Sequence, residues 1–237
     1  MKTQRTHDNL YLQENRYDNT KEMFKFILAN SFEENELNSK IDICDFGCAN
    51  GEFLYFLNKV SNASLNGVDI LPKLLKKAKK FVPKASFVKG SVLQKNIFNR
   101  DKFDKSFLTG VHTIFDEFET QFNNLIYWTK PGGSIFITGM FNYYPVDVYI
   151  KYKESKKYKS KYYEAGWNMF SIESVGNFLN NIKKVKSYNF KKFEIGIDLV
   201  KHSDPIRSWT FNDVNNNKII TNGLSILQQH YTLTINL

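Results

Sequence analysis

The chain of 237 residues is predicted to adopt an α/β fold, a three-layer sandwich in which helices cover a mostly parallel sheet. Three observations predict this class. Short apolar, β-branched runs alternate with segments of helical periodicity, glycine-rich turns separate them, and no Pro/Ser/Gly-rich linker divides the chain. We therefore expect one domain over 1–237, with a helical N-terminal cap at 1–38, a ligand-binding core at 39–140, and inserts with sheet-closing strands at 141–237.

Composition narrows the class of protein. Apolar residues make up 42% of the chain and aromatic residues 16%, which is enough for a sizeable core. The first eight residues lack the apolar stretch of a signal peptide, and no run is long enough to span a membrane. Cys44 and Cys48 are expected to be small buried residues rather than a disulfide or a metal pair. A reducing cytoplasm is therefore the expected location.

The first core element is a strand, a tight loop and a helix over residues 41–57. Gly47 and Gly51 lack Cβ atoms, so the loop can turn sharply and a ligand can approach the backbone closely. The loop also presents backbone N–H groups at a helix N-terminus. Asp45 would repel a phosphate but suits an ammonium or sulfonium group, and no Gly-Lys-Ser/Thr follows, which excludes a P-loop.

The second element repeats this arrangement. Residues 63–69 read as a strand that ends in an acidic residue, and residues 70–80 read as an amphipathic helix. Asp69 follows Asp45 by 24 residues, which is close to the spacing at which a carboxylate meets a ribose in dinucleotide-type folds. A carboxylate can accept hydrogen bonds from both ribose hydroxyls. The two loops together predict a nucleoside-bearing ligand.

Three further strands complete the core. We expect strands at 85–89, 103–112 and 134–140, with a helix over 115–129 before the last of them. The sequence Lys-Pro-Gly-Gly at 130–133 stops this helix and supplies the turn.

The loop sequence Asp-Phe-Gly-Cys-Ala-Asn-Gly at 45–51 resembles motif I of the class I S-adenosylmethionine (SAM)-dependent methyltransferases, D-x-G-C-G-x-G, with Ala49 in place of the middle glycine. The resemblance extends over about residues 40–140, in the order and spacing of the elements. It implies a Rossmann-like fold with a seven-stranded sheet, closed by an antiparallel C-terminal strand. It also implies SAM as cofactor and S-adenosylhomocysteine (SAH) as product.

The resemblance also assigns cofactor-binding residues. Ser91 stands where the family often has an acidic residue on the adenine amino group, and Val92 would form a wall of the adenine site. N-terminal helices over residues 9–31 often cover the cofactor in this family. The predicted cofactor residues are Asp45, Gly47, Cys48, Ala49, Gly51, Asp69, Ile70, Ser91, Val92, Thr109, Tyr11 and Arg16.

The rest of the chain must hold the acceptor. Residues 171–179 read as a helix, 187–199 and 230–237 as strands, and 209–221 as a β-hairpin in an insertion. Arg207 could fork onto a carboxylate or phosphate of the substrate, or pair with an acid such as Asp204. The candidate substrate-binding residues are Tyr143, Tyr144, Trp167 and Arg207.

Methyl transfer to a hydroxyl benefits from a general base. His112 is the leading candidate because it follows the fourth strand and imidazole titrates near neutral pH; Asp116 could orient it or act itself. No compact metal-ligand motif is present, so we expect no metal. The Asn/Asp-Pro-Pro-aromatic signature of nucleic-acid N6-amino methyltransferases is also absent after the fourth strand.

The net charge of +9 concentrates in a Lys/Tyr stretch at 151–163. This stretch could track nucleic-acid phosphates, contact a phosphate-bearing small substrate, or be a solvated connector. We expect a bacterial O-methyltransferase acting on a small molecule, such as a sugar or sugar nucleotide for a surface polysaccharide. An RNA methyltransferase and a catalytically inactive SAM-fold binding protein remain the alternatives. The sequence leaves the oligomeric state open.

Overall fold

The computed structural model describes residues 2–5 and 7–237, and it confirms the predicted fold class. The core of the main sheet is made of parallel strands in the order β4-β3-β2-β5-β6. These strands are β2 (Asp42–Phe46), β3 (Ser64–Asp69), β4 (Ser86–Lys89), β5 (Phe103–Thr109) and β6 (Thr129–Asn142).

Two antiparallel strands close this sheet, as predicted. Strand β13 (His230–Asn236) pairs with β6, and β10 (Ser187–Lys192) pairs with β13. The strand predicted over 187–199 is shorter in the structure and ends at Lys192. Its partner β13 begins at His230, and the last hydrogen bond between them runs from Phe193 N–H to the carbonyl of His230. A short strand, β9 (Phe170–Ser171), adds to the end of β6.

Helices cover both faces of the sheet. One face buries α5 (Glu119–Trp128) and α6 (Ile172–Asn180) against a cluster in which Phe46 stacks on Trp128 with 4.7 Å between ring centroids. The helices on the other face are α1 (Glu22–Ser31), α2 (Glu34–Leu37), α3 (Glu52–Val60) and α4 (Pro72–Phe81). On this face α1, α3 and α4 pack around Phe107, which stacks on Phe136 at 5.1 Å, and the short α2 lies at the surface without a buried residue.

Several element boundaries in the core differ from the prediction, and the strand expected over 103–112 ends at Thr109. The helix expected over 115–129 starts at Glu119, after a 3-10 turn at His112–Ile114. Strand β6 starts at Thr129 rather than 134, because Thr129 already pairs with Phe103. The next pair is Lys105 with Ser134, so the register shifts between these two pairs. The chain therefore runs through the Lys-Pro-Gly-Gly turn without leaving the sheet.

The N-terminal segment differs most from the sequence prediction. In place of the helices predicted over 9–31, the chain forms a 3-10 helix at His7–Leu12 and then α1. Residues 1 and 6 of the predicted helical cap lie outside the described residues. Strand β1 (Lys2–Gln4) pairs in parallel with β8 (Tyr162–Ala165), which pairs with β7 (Lys151–Tyr152). The basic stretch is thus part of a small sheet.

The insertion contains the predicted hairpin, formed by β11 (Trp209–Asn212) and β12 (Lys218–Thr221). Further 3-10 turns lie at Lys95–Ile97 and Ser155–Lys157. Among the described residues, no helix combines the length and apolar character that crossing a membrane requires.

Candidate functional site

The loop after β2 is held in a turn that only glycine fits. Gly47 has φ +78°, and its N–H donates to Val68 O at 2.7 Å, as does Cys48 N–H at 2.9 Å. A Cβ atom on Gly47 would lie 2.3 Å from Val111 Cγ2. Gly51 caps α3 with φ +79°, and a Cβ atom there would lie 2.8 Å from Ala78 Cβ. Both glycines are therefore required by the backbone, as the sequence predicts.

Asp69 joins this loop to the one after β3. Its Oδ2 accepts the N–H of Ala49 at 2.9 Å, and its Oδ1 accepts the N–H of Leu71 at 2.8 Å. Ala49 has φ +47°, a left-handed conformation that costs an L-residue roughly 1–2 kcal/mol. This strain explains why a glycine is common at that position, and the Asp69 carboxylate helps to stabilise the strained turn.

Asp45 lies at the bottom of the loop and is 3% exposed. Its Oδ1 is buried and has no hydrogen-bond partner among the described residues. Burial, together with the nearby charge of Asp69, raises the pKa of Asp45 to about 7. A buried acceptor without a donor costs roughly 1–3 kcal/mol, so this atom indicates a ligand that brings a donor or a positive charge.

These loops open into a cavity of about 620 Å³ at the carboxyl ends of β2 to β5. We call it the larger cavity. Thr109 contributes a second buried oxygen, Oγ1, that has no partner among the described residues. Gly51, at the start of α3, shapes the loop but does not line the cavity. The predicted cofactor residues that line the cavity are Asp45, Gly47, Cys48, Ala49, Asp69, Ile70, Ser91, Val92, Thr109 and Tyr11.

Arg16 does not line this cavity, so the structure does not support its predicted contact with the cofactor. Its side chain is exposed and its nearest acid is Glu14, at 4.0 Å, while its backbone N–H donates to Glu52 Oε1 at 3.0 Å. The segment around Arg16 is instead anchored by Tyr17, whose hydroxyl donates to Asn50 O at 2.7 Å. Tyr17, rather than Arg16, fixes the cap to the motif loop.

A second cavity of about 200 Å³ adjoins the first, and we call it the smaller cavity. Its floor is the end of β5, at Thr109 and Gly110, and the neighbouring part of β6, at Thr138 and Gly139. The residues shared by both cavities are Arg5, Tyr11, Met23, Thr109, Gly110 and Ile114. A ligand in the larger cavity and a small molecule in the smaller one would therefore meet above the β5 end.

The two cavities share a roof that the sequence analysis missed. Gln4 Nε2 donates to Glu164 Oε1 at 3.0 Å, and Arg5 Nη1 donates to Ala165 O at 3.0 Å. Arg5 lines both cavities, and Trp167 lines the smaller one. No local signal marks Arg5, because its position depends on a strand pairing across about 160 residues of sequence.

His112 follows β5 as predicted, but its side chain does not reach either cavity, as a general base would have to. It is fully buried, its Nε2 is 3.1 Å from Met140 O, and its ring stacks on Phe141 at 4.5 Å. Burial lowers the pKa of His112 to about 4. The ring fills the space left by Gly139, where a Cβ atom would lie 2.5 Å from His112 Cε1. His112 lines neither cavity, so its geometry is that of a packing residue.

Asp116 is also outside both cavities. Its Oδ1 accepts hydrogen bonds from Lys151 Nζ and from Asn168 Nδ2, the latter at 3.0 Å. These partners, Lys151 first, lower the pKa of Asp116. Asp116 therefore ties the basic stretch to the body of the domain, and the structure does not support the predicted role as catalytic acid or base.

The predicted substrate residues separate into two groups. Trp167 lines the smaller cavity, and its contact with substrate stays a prediction. Tyr143 and Tyr144 are 71% and 67% exposed and line neither cavity. Arg207 forms ion pairs with Glu14 and, at 3.9 Å, with Asp204, which is the structural alternative to a contact with substrate.

Residues 43–133 match the family model of the methyltransferase domain. Solved structures are similar over nearly the whole chain. A SAM-dependent methyltransferase from Archaeoglobus fulgidus shares 14% identity and a TM-score of 0.61, with 96% of this chain and 99% of that chain covered. The YcgJ protein from Bacillus subtilis shares 12% identity and a TM-score of 0.59, with 90% and 97% covered.

A third similar chain comes from the complex between the Haloferax volcanii Trm112 methyltransferase activator and a methyltransferase. It shares 13% identity and a TM-score of 0.63, with 99% of each chain covered. At these identities the likenesses establish the fold. A search of curated protein sequences gives no significant match to this chain.

Proposed function

We propose a substrate class for this chain, which belongs to the class I SAM-dependent methyltransferases and uses SAM as its cofactor. The proposed reaction is methylation of a hydroxyl group on a small molecule about the size of one sugar ring. The observation that carries this proposal is the smaller cavity of about 200 Å³, which adjoins the larger cavity at the end of β5.

The larger cavity has the residues that SAM needs. We infer that Asp69 accepts the ribose hydroxyls, that Ser91 and Val92 face the adenine, and that Asp45 and Thr109 use their unpartnered oxygens toward the methionine part. SAM supplies a methyl group that its positively charged sulfur has already activated. The chain therefore has to align the acceptor and remove a proton.

The smaller cavity favours an acceptor with an anionic group. Of the described residues that line it, Arg5 alone carries a full charge at neutral pH, since burial lowers the pKa of His230 to about 4. A guanidinium binds phosphates and carboxylates in a forked geometry. The aromatic rings of Tyr11 and Trp167 suit a sugar face. A phosphorylated sugar or sugar nucleotide is therefore the proposed acceptor; its use in a surface polysaccharide stays a prediction.

The RNA alternative depends on the basic stretch, whose lysines largely have partners in the chain. Lys151 pairs with Asp116, Lys156 and Lys157 pair with Glu154, and Lys153 donates to Ser160 O at 2.6 Å. The ion pairs with Asp116 and Glu154 reduce the net positive charge of the stretch, which weakens its attraction for a polyanion, while the carbonyl partner of Lys153 only orients that side chain. This arrangement favours a small acceptor over RNA.

The proposal is tested by measuring SAH formation with a panel of acceptors: glucose, glucose 1-phosphate, UDP-glucose and total RNA. We expect turnover with a phosphate-bearing sugar compound and little with RNA. SAH formation with RNA that falls steeply between about 50 and 200 mM salt, together with no SAH formation with any sugar compound, would overturn the proposal.

Arg5→Gln tests the anionic group on the acceptor. We expect KM for the phosphate-bearing acceptor to rise about tenfold, which corresponds to about 1.4 kcal/mol for one lost charged hydrogen bond, with kcat nearly unchanged. Arg100→Gln is the matched control, since Arg100 is an exposed arginine that lies outside both cavities. An equal KM in both variants would contradict the role of Arg5.

A further inference from the structure

His230 is a titratable residue of the smaller cavity that the sequence analysis did not single out. It begins β13 and lies opposite Met140 in the antiparallel pair with β6. It lines the smaller cavity together with Thr138, Gly139 and Trp167. An imidazole here faces the space in which the proposed function puts the acceptor hydroxyl.

Gln228 is the side chain that contacts the imidazole of His230. Gln228 is 6% exposed, and its Oε1 accepts a hydrogen bond from Ser208 Oγ at 2.8 Å. The same Oε1 lies 3.4 Å from Nε2 of His230. In this orientation of the amide, whose Nε2 is buried without a partner among the described residues, the oxygen can only accept, so the contact favours the tautomer with the proton on Nε2 of His230. The lone pair of the neutral ring is then on Nδ1, which makes no hydrogen bond to the described part of the chain.

Comparison with His112 shows why one of the two histidines can accept a proton from a ligand. Both are neutral, because burial lowers the pKa of each to about 4. Nδ1 of His112 is sealed in the core without a partner among the described residues, and its ring lies behind Gly139. His230 is half-buried and belongs to the cavity wall. Of these two, His230 combines a neutral ring, a favoured tautomer and access to the smaller cavity.

We propose that Nδ1 of His230 accepts the proton of the acceptor hydroxyl, with Gln228 as the positioning residue that holds the required tautomer. In this step the hydroxyl oxygen forms a bond to the methyl carbon, the carbon–sulfur bond breaks, and its electron pair stays on sulfur. The hydroxyl proton moves to Nδ1. The inference rests on the proposed function, and the arrangement of base and orienting group follows the general pattern of acid–base catalysis.

The first test does not need the acceptor. Long-range ¹H–¹⁵N spectra of the SAH complex report which ring nitrogen of His230 carries the proton. We expect the Nε2–H tautomer in the wild type, loss of this preference in Gln228→Leu, and its return in Gln228→Glu, which keeps an acceptor oxygen. A dominant Nδ1–H tautomer in the wild type would overturn the proposal.

The second test measures turnover with the same acceptor panel. We expect His230→Asn to lower kcat by roughly 10²- to 10⁴-fold, the usual contribution of a general base, with unchanged SAM affinity. Gln228→Leu should lower kcat about tenfold without changing KM, and Gln228→Glu should restore it. The unchanged SAM affinity of each variant shows that it is folded.

The outcomes separate the two proposals. If the wild type methylates a panel member and His230→Asn stays within threefold of its kcat, the role of His230 is overturned and the proposed function stands. If the wild type methylates no sugar compound, the proposed function fails and the catalytic role of His230 fails with it, whichever tautomer the spectra show.

Discussion

The motif loop and the smaller cavity are built in opposite ways. The loop at 45–51 is contiguous in sequence, and its backbone is held by the end of the next strand, at Val68 and Asp69, and by the hydroxyl of Tyr17. The smaller cavity takes Arg5 from just after the N-terminal strand, Trp167 from the loop after β8, and His230 from the last strand. The motif loop of the cofactor site is therefore encoded mainly by local sequence, whereas the smaller cavity depends on long-range pairing.

This difference predicts which changes unfold the chain and which alter only its chemistry. In the loop, function and backbone conformation use the same atoms, so substitutions there should affect stability and SAM binding together. In the smaller cavity Arg5, Trp167 and His230 lie in or next to strands whose pairing is made by other residues. Substitutions of Trp167 and His230, which line the smaller cavity and not the larger one, should therefore affect the acceptor step alone.

Gly47→Ala should give the largest effect. The new Cβ atom would lie 2.3 Å from Val111 Cγ2 in a backbone with φ +78°. Strain and overpacking together should lower the free energy of unfolding by about 2–4 kcal/mol, and SAM binding should be lost. Urea unfolding of the wild type and the variant measures this.

Gly132→Ala is the matched control, because Gly132 has φ +80° and no atom within 4 Å of its ideal Cβ position. We expect a cost of about 1–2 kcal/mol from backbone strain alone, with normal SAM binding. Equal losses in the two variants would show that the contact with Val111 does not matter.

Asp45 should make SAM affinity depend on pH. Its pKa is raised to about 7 by burial and by Asp69, so the carboxyl is protonated in the ligand-free protein at pH 5 and ionises as the pH rises. The ionised form attracts the cationic ligand, so affinity should rise up to about tenfold per pH unit between pH 5 and 7 and then level off. Asp45→Asn should remove this slope in calorimetric titrations.

The Asp45 carboxyl should lower the free energy of unfolding of the ligand-free protein as the pH rises, whereas SAM affinity rises over the same range. A carboxyl whose folded pKa is raised binds more protons in the folded than in the unfolded state. The ligand-free wild type should therefore lose stability relative to Asp45→Asn as the pH rises from about 4 to 7. A difference between the two proteins that is constant over this range would contradict the buried, unpartnered environment of Asp45.

His112→Phe should have the smallest effect on turnover. The ring stacks on Phe141 and lines neither cavity, so the turnover rate should stay within about threefold of the wild type. Losing the partner of Met140 O should cost about 1–2 kcal/mol of stability. A turnover rate that falls about a hundredfold at unchanged SAM affinity, as expected for loss of a general base, would restore His112 to that role.

The pH dependence of this cost has a defined sign. The lowered pKa of His112 means that its contribution to stability is lost as the pH falls from about 6.5 toward 4. Phenylalanine does not titrate, so the stability difference between His112→Phe and the wild type should shrink in acid.

The sequence predicted the motif loop well because its signals are local. Glycines at 47 and 51 mark positive φ angles, and an acid at the end of the next strand marks the partner of the loop. The sequence placed His112 correctly after β5 but could not show that Gly139, on the neighbouring strand, leaves a space for its ring. The position of His230 in the cavity depends on strand register, which residue patterns alone do not fix.

The most direct test of the account is calorimetric titration of the protein with SAM and SAH, comparing wild type with Asp69→Ala. Asp69 holds the motif loop through Ala49 and faces the larger cavity. Losing one or two charged hydrogen bonds should weaken SAM binding by about 100-fold. Asp18→Ala, at an exposed site outside both cavities, is the control. Equal SAM affinity in wild type and Asp69→Ala, or no binding of either ligand to the wild type, would contradict the account.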